Sequence, residues 1–594
     1  TPQPTKTKSR WNQAGPKDLP TPRHPETSQT ITMPVNLPSL LSKRLTGIQI
    51  PVWLLAVITV FFFLNLGGFL LFDHDEGAFS EATRGMFERN DFITTWLNDR
   101  IRFDKPILIY WLQAASISLF GTEVWAFRLP SALAGLGWTL GIFWFCRRYL
   151  NDATATVAAL IAASSLGINM IAHVATADAL LNALLASTLL LMYVYSREPQ
   201  KPLLYAIYIL MALGVLTKGP VAVAIPLMVA TPFYLLHGLK TELLRALFFI
   251  PGWIVFLLIA APWYILEYLA HGQDFIDGFI LKHNVNRFNN AMEGHDGGFL
   301  FYPVVLPFIL APFGALLLRM LPSIKNLKPG KDSLDAYLWI WFLVVLILFS
   351  LASTKLPHYI LYGCTPLVIL MARYRHWLHS RLLSALFPAI LMGVFVAFPL
   401  LLPLAQERLT NPIEIATAER AAHYFNRDFT MLAALTLIVS LVLIFWRRFS
   451  PWFALLLVGG VQALFIWFVF VPAMSESQQR PVWEAAQFAR TLDEPVYTQS
   501  IDMPSFNVYY DQVTERRGLE IGEVGFGRED RLAKDTRREG IHYDVLFQSG
   551  PIMIVRRIPA PERTEPHDTK PQNTDADLPA DDESAPHNTS GADT

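Results

Sequence analysis

The chain reads as an all-α polytopic membrane protein with a small α/β extracytoplasmic domain near its C-terminal end. Three observations predict this. Of its 594 residues, 53% are hydrophobic and only 16% charged, with a mean hydropathy of +0.34; soluble domains carry roughly 25% charged residues. Apolar runs long enough to cross about 30 Å of hydrocarbon recur about thirteen times. Lys and Arg collect in alternate loops between those runs, as they do on the cytoplasmic side of a bilayer.

The runs lie near 51–72, 127–146, 153–172, 177–196, 202–217, 220–237, 247–269, 300–319, 335–352, 357–372, 382–404, 429–446 and 451–472. A further piece, 106–120, is short and holds Gln113 and several serines, so it reads as interfacial. The basic residues Lys43 and Arg44, Arg147 and Arg148, Arg197 and Lys201, Lys240 and Arg245, Arg319 to Lys331, Arg373 to Arg381, and Arg447 and Arg448 then all fall on one side. This predicts a cytoplasmic N-terminus and an outer C-terminal domain. The first run begins near residue 50 behind a polar stretch, and no small-residue cleavage site follows it, so it reads as a retained span rather than a signal peptide.

The expected organisation is a disordered cytoplasmic tail at 1–45, a transmembrane domain at 46–472 with outer loops 73–126, 270–299 and 405–428, an extracytoplasmic α/β domain at 473–560, and a disordered acidic tail at 561–594. In the α/β domain, "PVWEAAQFARTL" has helical spacing, "SFNVYYDQV" reads as a strand, and "YDVLFQSGPIMIVRRI" reads as a hairpin around Ser549-Gly550. Cys146 and Cys364 sit in apolar runs and make no disulfide framework. The net charge of −1 gives no reason to expect a nucleic-acid partner. There is no Walker loop, zinc-spaced cysteine cluster or dinucleotide glycine fingerprint.

The predicted outer face carries the unusual polar residues. "LFDHDEGAFSEATRGMFERN" ends a greasy run in Asp73, His74, Asp75 and Glu76. A helix cap needs one acid. Three in four residues repel one another and persist where a base, a cation or a metal uses them. Asp75 is the favoured functional acid, and Asp73 stays open between cap and function. Phe79, Ala82, Met86 and Phe87 form the stripe of a helix lying on the membrane. Lys105, between Asp104 and Pro106, suits either a phosphate or the lipid headgroups, and Arg287 could hold the same phosphate with its fork. Lys218 and Lys355 are candidates of the same kind, with snorkelling as the competing reading. Asp178 is either an N-cap or a second acid of the site. His173, His283 and His358, with Asp104, have the donor chemistry of a zinc or manganese site, but no two are spaced as a ligand pair, and hydrogen-bonding histidines are the favoured reading.

Taken in order, "FDKPILIYWLQAA", "ATADALL", "TKGP" and "STKLPHYIL", after the Asp75-Glu76 pair, resemble the GT-C membrane glycosyltransferases that use polyprenyl-phosphate sugars. The resemblance covers 50–472 and is strongest in 71–126 and 170–220. Its nearest branch is the bacterial aminoarabinose lipid A transferases, with protein O-mannosyltransferases as relatives. It implies a GT-C type fold and an inverting sugar transfer from undecaprenyl phosphate to lipid A or another envelope glycolipid, outside a bacterial cytoplasmic membrane. The sugar of that branch is 4-amino-4-deoxy-L-arabinose. It also implies Asp75, Glu76 and Asp178 as catalytic acids, and Lys105, Arg287, Tyr359 and Lys355 around the donor phosphate. Asp104, with His283, would hold a divalent cation, the one cofactor left open. The expected partners are the lipid-linked donor, the acceptor and membrane lipids, with the chain itself a monomer. "DHDEGAF" departs from the branch's DE-x-R-Y form at Ala78 and Phe79, which leaves sugar and acceptor open. Two alternatives remain: a protein acceptor, or a secondary transporter. A transporter would place its charges at the midplane of two related halves, and here they lie at span ends.

Overall fold

In the computed structural model the chain divides into two units, Thr1–Pro51 and Val52–Thr594. The structure describes residues 50–286, 298–328, 333–409 and 412–560. Both predicted tails and Arg287 therefore lie outside the described residues, as does the side chain of His283. The architecture below is that of the second unit.

In chain order the elements are α1 (Val52–Phe63), α2 (Asp75–Arg89), a ribbon of β1 (Trp96–Leu97) and β2 (Arg100–Ile101), α3 (Leu108–Phe120), α4 (Val124–Tyr149), α5 (Asp152–Ser164), α6 (Leu166–Ala172), α7 (Asp178–Arg197), α8 (Lys201–Lys218), α9 (Val221–Leu236), α10 (Lys240–Leu247) and α11 (Ile250–His271). A π-helical stretch, Ile276–Asn286, follows. Then come α12 (Phe301–Ile309), α13 (Gly314–Met320), α14 (Ser333–Leu351), a 3-10 segment Pro357–Gly363, α15 (Cys364–Arg373), α16 (Arg381–Gln406), α17 (Pro412–Tyr424) and α18 (Arg427–Phe445). The last is α19, Pro451–Ala489, continuous over 39 residues.

Among the described residues, eight helices are long and apolar enough to span: α4, α7, α8, α11, α14, α16, α18 and α19, or nine if the α5–α6 pair counts as one. The difference from about thirteen spans has a physical cause: hydropathy reads greasiness, not backbone continuity. The run at 51–72 yields a helix of only 12 residues, and 300–319 and 357–372 are each broken into two shorter pieces. The expected interfacial piece, α3, has 13 residues and is too short to span.

Local chemistry sets the ends. Asn151 accepts from the Thr154 N–H at 2.8 Å to start α5, and Asn426 accepts from the Asp428 and Phe429 N–H groups to start α18. The chain turns by 64° between α5 and α6. The N–H of Leu166 freed there donates to Ala311 O at 3.0 Å. Gly167 permits this approach, because a Cβ at that position would stand 2.6 Å from Ile309 Cγ2. In a bilayer such freed backbone groups must find a partner inside the protein. Burial ranks the spans: 78% of the α7 window is buried against 17% for α11 and α16. The first therefore sits centrally, while the other two present Leu257, Leu258, Leu382 and Leu400 outward.

The C-terminal part adds β3 (Val496–Gln499), α20 (Ser505–Tyr510), β4 (Val524–Arg528), α21 (Glu529–Glu539), β5 (His542–Ser549) and β6 (Ile552–Ile558). The sheet order is β3-β4-β6-β5, with β3 and β4 parallel and the remaining pairs antiparallel. The hairpin turns at Gly550 as predicted, with φ of 54°. "SFNVYYDQV" corrects the expected strand: residues 505–510 are helical and every one of them is buried. Aromatic and β-branched content favours strands only on a half-buried pleat. Here Asp511 in the left-handed region ends a short helix, and Phe506 stacks on Phe526 of β4 with centroids 3.9 Å apart.

The helix α19 runs through the expected domain boundary at 473. Val482, Ala485, Ala486 and Ala489 pack in one core with Val496, Phe526 and Ile554 of the sheet region, and with Leu71, Phe127 and Ala175 of the bundle. The helix α2 is covered by protein on its polar side as well as its apolar one. Its apolar stripe is buried as expected, except for the exposed Phe87, but so are Glu76, Ser80, Glu81, Thr83 and Arg84 on its other faces. It is enclosed between the bundle and α20.

Candidate active site

The loop around residues 72–76 is held from three sides. Glu76 is buried and accepts from Arg128 Nε at 2.6 Å and Nη2 at 2.9 Å, from the Phe72 N–H at 3.0 Å and from the Ala175 N–H at 2.9 Å. Arg128 also donates to Leu66 O, Phe69 O and Leu70 O. An arginine inside an apolar helix demands such satisfaction. That was the one sequence signal for this pair, and sequence reading missed it.

Asp73 makes no cap for α2. It caps α20 instead, accepting from the Ser505 N–H at 3.0 Å and Ser505 Oγ at 2.5 Å. With its amide oriented to satisfy both groups, Gln479 of α19 donates to Asp73 Oδ2 at 3.2 Å. Burial pushes the Asp73 carboxyl up to about 6, with the Ser505 bonds opposing. Nearby, burial also pushes Glu81 up to about 7, against the pull of its ion pair with Arg84.

Between these two anchored acids, His74 and Asp75 are exposed. Asp75 stands in the first turn of α2, where the helix dipole favours a carboxylate. Its cation is Arg102, which sequence reading did not single out. Arg102 pairs with Asp104 at 3.3 Å and lies over the Phe79 ring at 5.2 Å. Burial works against its charge, yet Tyr110, Asp104 and Asp75 hold it above the ordinary arginine range.

The second group is built from span ends far apart in sequence. Asp178 opens α7, and Lys218 closes α8 and donates to Asp178 Oδ1. Lys218 Nζ also donates to Tyr362 Oη at 3.3 Å and lies 5.8 Å from the Tyr359 ring centroid. His358 Nε2 is 3.7 Å from Asp178 Oδ1, and Lys105 acts on Asp178 electrostatically. The structure therefore gathers Lys105, Asp178, Lys218, His358, Tyr359 and Tyr362. Lys105 follows Asp104 directly, so the two groups are continuous. Lys355 stands apart from these contacts, in the coil after α14, and donates to Ala352 O at 2.9 Å.

The histidines separate. His173 Nδ1 lies 2.8 Å from Asn169 O, and its ring stacks on Trp467 at 3.8 Å, which makes it a packing residue. Among the described residues no three His, Cys, Asp or Glu side chains gather as metal ligands. Asp104 faces the Arg102 guanidinium at 3.3 Å, and the side chain of its expected partner His283 lies outside the described residues.

Chemically, the arrangement offers an exposed carboxylate, Asp75, joined through Arg102 and Asp104 to a group of lysines and tyrosines at span ends. Part of the chain, residues 104–266, matches the dolichyl-phosphate-mannose-protein mannosyltransferase family model. The chain is 32% identical over 334 residues to the undecaprenyl phosphate-alpha-4-amino-4-deoxy-L-arabinose arabinosyl transferase of Aeromonas hydrophila, covering 54% of this chain and 59% of that protein. It is 28% identical over 368 residues to an uncharacterized protein of Aquifex aeolicus, covering 58% of this chain and 79% of that one. The fold matches the crystal structure of ArnT from Cupriavidus metallidurans bound to undecaprenyl phosphate, with a TM-score of 0.71 and 21% identity over 85% of this chain and 97% of that one. These matches show that the chain shares the fold of the ArnT structure and is similar to the undecaprenyl phosphate-aminoarabinose transferases, of whose length it spans less than two thirds.

Proposed function

We propose that the chain moves a sugar, 4-amino-4-deoxy-L-arabinose or a close relative, from undecaprenyl phosphate to lipid A or another envelope glycolipid. The reaction takes place on the outer face of a bacterial cytoplasmic membrane, the N-terminus being inside and the α/β domain outside. The observation that carries this reading is the pairing of Asp178 with Lys218 beside Lys105, His358 and two tyrosines, linked to the exposed Asp75 through Asp104 and Arg102. The names of the relatives support the donor and the sugar.

The acceptor oxygen attacks the anomeric carbon, and the bond from that carbon to the phosphate oxygen breaks. Undecaprenyl phosphate leaves with the electron pair. Asp75 orients the acceptor and takes its proton, a role that needs an exposed carboxylate within hydrogen-bond reach. Arg102 is the cation that faces Asp75 electrostatically. Lys105 and Lys218 meet the charge that grows on the leaving phosphate, with Arg287 and Tyr359 assigned to the same group from sequence; such preorganised cations are a large part of catalysis. Asp178 positions Lys218. Glu76 holds the loop through Arg128 rather than touching substrate.

The test is transfer by the purified chain from undecaprenyl phosphate-aminoarabinose, followed by mass spectrometry of lipid A. A pentosamine-sized mass gain supports the reading. Label appearing on protein with lipid A unchanged would move the acceptor to protein, the reading favoured by the match over 104–266.

A further inference from the structure

The helix α15 leads from Tyr359 and Tyr362 to the far end of the bundle, where the starts of α5, α16 and α19 meet the ends of α15 and α18. Arg375 Nη1 donates there to Thr154 Oγ1 of α5 at 3.0 Å and to Ala372 O at 2.6 Å, and its guanidinium lies 5.3 Å from the Trp452 ring centroid. The His376 ring meets the same Trp452 edge-on at 5.7 Å. Arg381 donates to Ile444 O, to Trp446 O at 3.2 Å and to Phe449 O at 2.7 Å. These contacts lock the turn 373–381 against the turn 444–453. The two turns also carry His379, Arg447 and Arg448, and neither holds an Asp or Glu. The acids that come near from other elements are committed. Asp335 takes Arg373 at 3.3 Å, Asn326 Nδ2 at 2.7 Å and the Tyr374 hydroxyl, and Asp152 pairs with Arg147 at 2.9 Å. Among the described residues no carboxylate pairs with Arg375, Arg381, Arg447 or Arg448. Arg375 is buried, and its Nε has no hydrogen-bond partner. Burial pushes its guanidinium below the ordinary arginine range. A buried charge is costly until an anion pairs with it.

We propose that this basic patch binds the headgroup phosphate of an anionic phospholipid in the leaflet at that end of the bundle. Guanidinium forks take phosphate oxygens in pairs, and basic pockets between span ends suit anionic headgroups. Exposed Trp377 and Trp446 stand on its rim, and such rings mark the boundary between hydrocarbon and water. Beside the two turns, Leu382, Leu386 and Phe445 are exposed on helices apolar and long enough to span. The patch therefore sits at headgroup depth, and a lipid reaches it from the side with its chains against α16 and α18. Exposed Arg447 and Arg448 meet the phosphate first. A zwitterionic phospholipid offers the same phosphate but brings its own cation, which the patch repels. In the orientation proposed above this is the cytoplasmic leaflet. The site lies away from the acid–lysine group and does not rest on the transferase reading.

The experiment uses the full chain in non-ionic detergent, with native mass spectrometry counting the lipid it retains. Dioleoylphosphatidylglycerol is titrated into wild type, the double variant Arg447→Gln with Arg448→Gln, and the control Lys201→Gln. Lys201 is exposed and opens α8, whose other end is Lys218, so it stands at the same end of the bundle as the patch. The double variant is expected to weaken retention by about thirtyfold, roughly fivefold for each arginine, with the control unchanged and unfolding temperatures equal. An equal loss in Lys201→Gln makes the attraction diffuse and overturns the site. So does equal retention of dioleoylphosphatidylcholine by wild type. Glycerol 1-phosphate, the headgroup phosphate without chains, should not displace the lipid at equal concentration; full displacement makes the ligand a soluble phosphate and overturns the lipid assignment. Phosphatidylglycerol should also raise the unfolding temperature of wild type but not of Arg375→Gln, and an equal rise in both removes Arg375 from the site.

Discussion

Glu76 offers the sharpest test, because the acid is adjacent to the proposed base but is assigned a different job. Glu76 and Arg128 are 2% and 0% exposed, and the carboxylate takes four hydrogen bonds. In Glu76→Gln the charge is gone while Arg128 stays buried, pinned to three carbonyls and lying 3.7 Å from the Phe69 ring centroid. Breaking a buried pair by removing one partner costs about 3–5 kcal/mol. At about 2 °C per kcal/mol for a large chain, the apparent Tm in detergent should fall by roughly 6–10 °C. The paired replacement Glu76→Leu with Arg128→Met should recover much of that loss, since a packed apolar pair is often as stable as a buried ionic one. Tm is read by tryptophan fluorescence or by retention of the monodisperse peak after heating. A Glu76→Gln protein with the wild-type Tm and no transfer would refute the assignment, making Glu76 a group that acts on substrate.

Three further outcomes are expected. Asp75→Asn should lower kcat by about 10²–10⁴ with Tm unchanged, measured by single-turnover transfer; Arg102→Gln should shift the pH–rate profile instead. Lys218→Met should lower kcat by about 10²–10³, whereas Lys355→Met, whose ammonium returns to Ala352 O, should cost less than about tenfold. Asp73 has a folded pKa raised to about 6 from 3.8, so the folded state holds the extra proton between those values. Its contribution is fully present below about pH 4 and is lost as pH rises to about 6. Thermal unfolding from pH 4 to 7 should show this slope in wild type and lose it in Asp73→Asn. Any slope persisting to about pH 7 belongs to Glu81.

What the sequence made legible follows from what a linear pattern encodes. The spans α4, α7, α8, α11 and α14 stand where the apolar runs place them, because a membrane helix must satisfy its own backbone and so reads locally. The breaks inside 300–319 and 357–372 depend on partners such as the Leu166 N–H on Ala311 O, which no window of hydropathy contains. The polar clusters divide in the same way. Asp75 and Lys105 were visible as acids and bases at a junction, but the cation for Asp178 stands forty residues away in Lys218. Arg102 was lost among the charges of its loop, and Arg128 looked like the edge of a span. The misread segment 505–510 had strand composition, and it is helical because Asp73, more than four hundred residues earlier, caps it.

The continuous helix α19 has a mechanical consequence. At 1.5 Å per residue its 39 residues run about 58 Å, close to twice the hydrocarbon thickness. It is a driveshaft: the azimuth of the sheet is fixed by the count of residues between Pro451 and Ala489. One inserted residue would turn everything beyond it by about 100°, swinging Ser505 off Asp73. Seven inserted residues make almost two full turns and would restore the heading while lifting the domain by about 10 Å. The fold thus sets angle and height through one parameter, helix length, and both loops at the candidate site depend on it.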